Sequence, residues 1–417
     1  MSENSFSRLA LASVTTAIKD GTHGTHARVG NGVPFLSAKN VTDSGTVAWD
    51  ETDDCISESE YEQIHRTFRL QPRDLLLTIV GSLGRRAVFD GSKVTFQRSV
   101  AYVRPDTQRV SERFLFHWFG HGEFQQELVR RSNSTAQAGL YLGELAQTLV
   151  PDCPLVEQVK IAEILDTLDT TIRQTEAIIE KLKQVKQGLL HDLLTRGIDA
   201  NGELRPTQSE APHLYKDSPL GWIPREWEAR TVGDSCDLHN GLRLPLASDV
   251  REKMPGPFPY FGPTGILDFI DEFRVDGTFV LIGEDGDHFL KFANRPMTQL
   301  VSGRFNVNNH AHLLAGRICR TEWVDVWFRH RDITLFLTRQ GAGRFKLNKA
   351  SLQSLPMATP TDREQGAILE ALASMEAHIS AEARVRNKLV AEKAGLMDDL
   401  LTGRVRVTPL LAASTAT

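Results

Sequence analysis

The sequence predicts an α+β chain in which two related α/β domains are separated by a long antiparallel two-helix coiled coil, with pseudo-two-fold symmetry between the halves. Three observations predict it. The stretch EQVKIAEILDTLDTTIRQTEAIIEKLKQVKQGLLHDLLT, residues 157–195, returns as EQGAILEALASMEAHISAEARVRNKLVAEKAGLMDDLLT, residues 364–402, at a constant offset of 207 with 15 of 39 positions identical, which marks an internal duplication. Both copies carry a heptad pattern of apolar positions. Both follow a region of short, glycine-punctuated apolar runs of strand length.

In the first copy the apolar positions are Ile161, Leu165, Leu168 and Ile172, then Ile179 and Leu182, then Leu189 and Leu193, with Thr175 and Lys186 as polar breaks. Steps of four and three alternate without a slip. The second copy keeps the frame at Ile368, Leu372, Met375, Ile379, Leu389, Leu396 and Leu400, with Glu382, Arg386 and Lys393 as breaks. A parallel in-register pair sets Lys186 against Lys393, so charge favours the antiparallel pair, with Lys186 opposite Glu382 and Thr175 opposite Lys393. Helices of this length reach roughly 60 Å, and the expected molecule is a dumbbell with a head at each tip.

Composition bounds the rest. A chain of 417 residues with 41% hydrophobic content has room for two to four domains with true cores. No apolar run approaches membrane-spanning length and the patch at 9–14 is too short for a signal peptide, so a cytoplasmic location is expected. Cys55, Cys153, Cys236 and Cys319 form no CxxC pair, so they read as reduced thiols rather than a zinc site or disulfide framework. The net charge is −5, but eight basic residues lie in 66–104 and another eight in 317–349. Each cluster precedes one copy of the long helix, which points to an anionic partner at two matching places.

Taken in order, residues 1–150 read as a first α+β domain, with strands at 35–41, 74–80, 86–89 and 99–103 and a helix at 112–131. The loop DGTHGTHAR supplies Thr22, His23 and His26, and the turn GSLGRR supplies Arg85 and Arg86. Lys93 and Arg98 extend that basic cluster, and the polar stretch RSNSTAQAGLY adds Ser134 and Gln137. Pro151 and Pro154 open the first long helix, assigned to 151–198. Residues 199–219 form a polar, proline-containing linker.

The second region, 220–358, begins at GWIPREW and repeats the logic with strands at 278–283, 300–303 and 310–314 and a helix at 324–337. TRQGAGRFK, 338–346, takes the place of STAQAGLY, 134–141, so the duplication extends into the globular parts. Candidate contacts here are Arg243, Arg304, Asn306, Asn308 and His310, then Arg339, Gln340, Arg344 and Lys346. Arginine and lysine clamp phosphates, and arginine, asparagine and glutamine reach base edges in pairs of hydrogen bonds. The second long helix occupies 359–407, and 408–417 is expected to be a disordered tail.

Enzyme signatures are missing. PDCPLVEQVK only superficially matches a nuclease motif, because its Glu157 and Lys160 stand at the mouth of a heptad helix. There is no GxxxxGK[ST], GAGR lacks the context of a dinucleotide site, and no Asn/Asp-Pro-Pro-aromatic tetrad is present. His310 and His312 share a strand face but have no nameable third ligand. No catalytic residue, metal or cofactor is expected on this chain. Two related heads at a fixed separation suit the reading of two half-sites on a duplex; the alternative class is a coiled-coil scaffold whose heads bind protein or carbohydrate.

On these residues the chain resembles the specificity subunit of type I restriction-modification systems, over nearly all of its length. PLVEQVKIAEILDTLDTTI with GLLHDLLT, and TDREQGAILEALASMEAHI with GLMDDLLTG, look like that family's two helical regions. SPLGWIPREW looks like the start of its second target recognition domain, DGTHGTH with GVPFLSAKNV like the opening of the first, and NHAHLL like a strand of such domains. The resemblance implies a noncatalytic DNA-reading subunit with two target recognition domains. It implies helices that act as a ruler and dock two modification (methyltransferase) subunits and the restriction (motor-nuclease) subunits. S-adenosylmethionine, ATP and Mg would belong to those partners.

Overall fold

The computed structural model describes residues 5–132, 139–340 and 344–414. The chain divides into two compact units, Met1–Ala177 with Ala383–Thr417, and Ile178–Glu382.

In the first unit the central strand Leu75–Thr78 is flanked by Val100–Pro105 and Arg86–Val88, and Thr15–Asp20 completes an antiparallel sheet of four. Leu75 and Leu77 face one core with Phe114, Trp118 and Leu128, while Leu76 faces a second with Phe35, Phe96 and Tyr102. An apolar run without polar alternation is what a strand covered on both faces requires. A smaller sheet pairs Val33–Leu36 antiparallel with Cys55–Ile56 and parallel with Thr95–Phe96. The strand pair Ser7–Ala10 with Leu149–Asp152 joins this domain to its long helix.

The helix expected over 112–131 is two, Glu112–Phe119 and Gly122–Arg131. His121 is extended and caps the second through Glu123 N. A Cβ on Gly120 would sit 2.0 Å from the Arg86 guanidinium, so the break leaves room for that half-buried side chain.

The second unit repeats this plan. Its six strands run in the order Cys236–Leu238, Ala311–Gly316, Val275–Gly283, Thr298–Val307, Pro255–Gly262, Gly265–Ile270. Thr298–Val307 pairs antiparallel with Val275–Gly283 and parallel with Pro255–Gly262, so one strand does what two do in the first unit. Glu228–Thr231 pairs with Pro356–Thr359 as Ser7–Ala10 does with Leu149–Asp152. The helix expected over 324–337 is Thr321–Phe328, followed by a 3-10 turn at Thr334–Phe336 whose first amide, Thr334 N, donates to Asp332 Oδ1.

Both long helices are single elements, Leu155–Thr195 and Asp362–Thr402, each followed by a glycine in the left-handed region, Gly197 (φ 64°) and Gly403 (φ 81°). That is the residue such a helix end requires. Their packing is antiparallel in each unit. In the first, Ile161 and Leu165 share a core with Leu396, Leu400 and Leu401; in the second, Leu189 and Leu193 share one with Ile368 and Leu372. Every expected seam position is buried or half-buried, including Leu168, Ile172, Ile179, Leu182, Met375, Ile379, Glu382 and Leu389.

The partners of the polar breaks differ from expectation. Lys186 pairs with Glu376 rather than Glu382, and Lys393 pairs with Asp169 rather than lying against Thr175. A lysine stem can lie in the seam while its ammonium reaches a carboxylate flanking the partner's stripe; Thr175 satisfies its hydroxyl on Thr171 O instead. Residues 199–219 are an ordered strap rather than a solvated linker, with Arg205 buried against Glu364 and Tyr215 bonded to Pro206 O. Thr408–Ser414 is helical, not disordered; Val407 and Leu411 lie in or against the first unit's core.

The joint between sheet domain and long helix is duplicated to the residue. Gln158 accepts from Ser111 N and donates to Cys153 O; Gln365, 207 positions on, accepts from Arg320 N and donates to Pro360 O. In each unit this satisfies the N-cap amide of the helix lying on the sheet. Trp118 Nε1 donates to Leu149 O and Trp327 Nε1 to Pro356 O. Glu157 is buried against Arg406, and Glu364 against Arg205.

Candidate nucleic-acid interface

Strand register gathers the candidate loops of each unit at one end of its sheet. In the first, Asp20 pairs with Ala101 and Thr78 with Val100. The loop after Asp20, the turn after Thr78 and the residues just before Val100 therefore share an edge. Thr22 O accepts from Arg98 N, and a Cβ on Gly21 would lie 2.2 Å from Phe96 O; only glycine lets the loop press so close.

Here His26 is fixed between Glu60 (2.7 Å) and Thr22 (2.7 Å), and His23 turns to Asp20 (2.6 Å). Arg98 is exposed and makes no ion pair among the described residues. Arg85, at the same edge, is held 2.8 Å from Asp43. Thr22, His23, His26, Arg85 and Arg98 are thus brought together. Lys93 is not: it lies at the other end of the short strand, paired with Glu58. Arg86 is a correction. Its Nε donates to Phe116 O, the guanidinium lies over the Phe116 ring, and burial pulls its pKa down to about 10, so its side chain serves the core.

In the second unit Gly283 pairs with Ala311 and Leu238 with Leu314, which brings Arg243, Glu284, His310 and Lys346 to the equivalent edge. Arg243 lies 2.8 Å and Lys346 3.4 Å from the Glu284 carboxylate, and His310 lies 2.9 Å from Asp285. Arg339 is exposed over the Phe345 ring. Arg304 pairs with Asp276 at the opposite end of the long central strand, about 25 Å away at strand rise, and does not join the cluster.

Asn306 is a second correction: it is fully buried and donates to Glu272 O. Asn308 is buried too and caps the turn through His310 N. His312 is buried between Asn240 and Leu347 O, a structural role. Ser134 and Gln137, and the side chains of Gln340 and Arg344, lie outside the described residues.

The carboxylates that hold these cations, Asp43, Glu60, Glu284 and Asp285, went unnoticed in the sequence. For the last two a signal exists: the acids of EDGD follow an apolar strand without a spacer.

Two further features repeat. A groove at the start of the first long helix is lined by Val110, Arg113, Leu155, Val159 and Glu163. Its counterpart at the start of the second is lined by Arg320, Arg363, Gly366, Leu369 and Glu370. Separately, ligand atoms of His117, Asp166 and Asp169 lie within 4.8 Å of one another, but Arg113 and Lys393 already neutralise the two carboxylates. No helix among the described residues is long and apolar enough to cross a membrane.

The family description "Type I restriction modification DNA specificity domain" matches this chain twice, over residues 25–184 and 224–391. The chain is 24% identical over 362 residues to a putative type I restriction enzyme MjaX specificity subunit of Methanocaldococcus jannaschii, spanning 82% of this chain and 80% of that one. It is 30% identical over 165 residues to a putative specificity subunit, S.HindORF215P, of Haemophilus influenzae, spanning 39% of each. Its fold is similar to the type I restriction-modification S subunit from M. genitalium, with TM-score 0.57 at 13% identity over 96% of this chain and 97% of that one. A chain from a structural study of type I R-M complex assembly aligns likewise, with TM-score 0.58 at 13% identity over 96% and 98%.

Proposed function

Since the chain belongs to the type I restriction-modification DNA specificity family, with two target recognition domains, we propose that it reads a bipartite duplex site, one half per domain. The observation that carries this reading is the repetition of the loop edge. In both units the loops after the first sheet strand, after the central strand and before its antiparallel neighbour meet at the same sheet end, furnished with Arg85 and Arg98 in one and Arg243 and His310 in the other, where Lys346 of the strand Arg344–Lys346 joins them. Such residues position phosphates and reach base edges.

The long helices act as the spacer between half-sites. The matching grooves, each mixing apolar and charged residues, dock two copies of one modification subunit, and restriction subunits join that assembly. The chain itself is noncatalytic and works in the cytoplasm, while S-adenosylmethionine, ATP and Mg are bound by its partners. The test is to map methylated bases in cells carrying the chain and then variants with one heptad removed from each long helix. The half-site sequences should stay and the gap between them should change; an unchanged gap refutes the spacer.

A further inference from the structure

A carboxylate among cations that face a polyanion weakens the attraction they exert, so Glu284 at the loop edge of the second domain calls for a reason. Its surroundings supply one. Glu284 Oε2 lies 2.8 Å from Arg243 Nη1 and Oε1 lies 3.4 Å from Lys346 Nζ, so each oxygen holds one cation. Its backbone is pinned as well: Glu284 N donates to His310 O (2.7 Å) and Leu347 N donates to Glu284 O (2.7 Å). Four loops therefore meet on this residue.

Arg243 spends Nε on Asn240 O and Nη1 on Glu284 and Asn309 O. Its Nη2 makes no hydrogen bond among the described residues. The first domain has the same backbone joint, with Leu140 N donating to Ile79 O (2.8 Å), but there the side chain is a buried isoleucine.

We propose that Glu284 is a positioning residue of the second recognition domain, holding Arg243 and Lys346 side by side as a phosphate clamp with no counterpart among the described residues of the first domain. Without the carboxylate the two cations repel, the arginine swings free, and its open Nη2 edge loses its aim. This rests on the DNA-reading function above and goes beyond it by making the two domains unequal in how they grip the backbone.

The test is selection from a randomised duplex library with the full chain and with Glu284→Gln, Glu284→Asp and Arg243→Ala, alongside thermal unfolding of each. Glu284→Gln should bind the wild-type motif about tenfold more weakly and with a shallower salt dependence, while its selected motif keeps both halves, because phosphate contacts carry affinity and not sequence. Arg243→Ala should weaken binding in the same way, and Glu284→Asp should bind as the wild type does, with unfolding midpoints unchanged. The assignment is overturned if Glu284→Gln binds the wild-type motif as tightly as the wild type, if one half of its selected motif fades, or if Glu284→Asp fails as fully as Glu284→Gln. A wild-type chain that selects no motif sinks the DNA-reading premise itself, and the assignment with it.

Discussion

Lys186 Nζ lies 2.6 Å from Glu376 Oε1, and the same contact occurs again 207 residues on, because Lys393 pairs with Asp169. A duplicated antiparallel helix pair makes each inter-helix contact twice, once with the roles of the two helices exchanged. Lys186→Glu should lower stability by about 0.5–1 kcal/mol, as expected for a half-exposed pair, and Lys186→Glu with Glu376→Lys should restore part of it, since Glu376 also pairs with Arg329. Urea unfolding checks this; a double variant no better than the single one removes the pair from the account.

Glu364 is a stronger case. It is buried with Arg205 and also accepts from Ile198 N (2.8 Å). Glu364→Ala leaves the buried Arg205 guanidinium with only the exposed Glu226 and Arg196 O as partners, so the loss should approach about 3–5 kcal/mol, the cost of a broken buried pair, without exceeding it. The second unit should unfold at correspondingly lower denaturant; a loss below about 1 kcal/mol would mean the pair behaves as a surface contact.

Gly197 tests backbone and space together. At φ 64°, an added Cβ would meet Glu364 Oε1 at 2.2 Å and Trp227 at 2.5 Å. Gly197→Ala should therefore cost more than the ~1 kcal/mol of a left-handed alanine alone, read as a fall in the unfolding midpoint. Gly202→Ala, also left-handed but in open space, is the control and should cost less.

His117 sets an acid limit. Burial lowers its pKa from the ordinary 6.5 against the opposing pull of Asp166 and Asp169, while Lys393 acts in the same direction as burial. Between 6.5 and that lower folded value the unfolded chain binds the proton and the folded chain does not, so stability falls as pH falls through this window. Valine occupies the matching place in the second unit, Val326, sixth in its helix as His117 is in its own. His117→Val should flatten the stability profile below 6.5 relative to wild type; parallel profiles would exclude His117 as the titrating group.

How far the sequence could be read follows from how many neighbours a residue has. Ile161 to Leu193 were legible because a helix packed chiefly on one other helix obeys one period. Arg85 and Arg86 were not distinguishable, since adjacent strand residues point to opposite faces and only the Phe116 helix decides which face is covered. Asn306 was misjudged for a related reason: Phe305, Asn306 and Val307 are all buried where the strand has neighbours on both edges, so no alternation marks the inward positions. The partners of Lys186 and Lys393 were missed because heptad letters assign seam positions and say nothing of how far a lysine stem reaches past them.

The first unit is assembled from two distant stretches, Met1–Ala177 and Ala383–Thr417, and Phe6 N is bonded to Thr402 O. During synthesis the amino-terminal domain must therefore wait, with Ile161 and Leu165 uncovered, until Leu400 and Leu401 leave the ribosome. Ile178–Glu382 is one uninterrupted stretch and can close first. The domain made earlier is the one completed later, and a chain cut within its second long helix, after Glu382, would carry an intact second domain and an unsealed first.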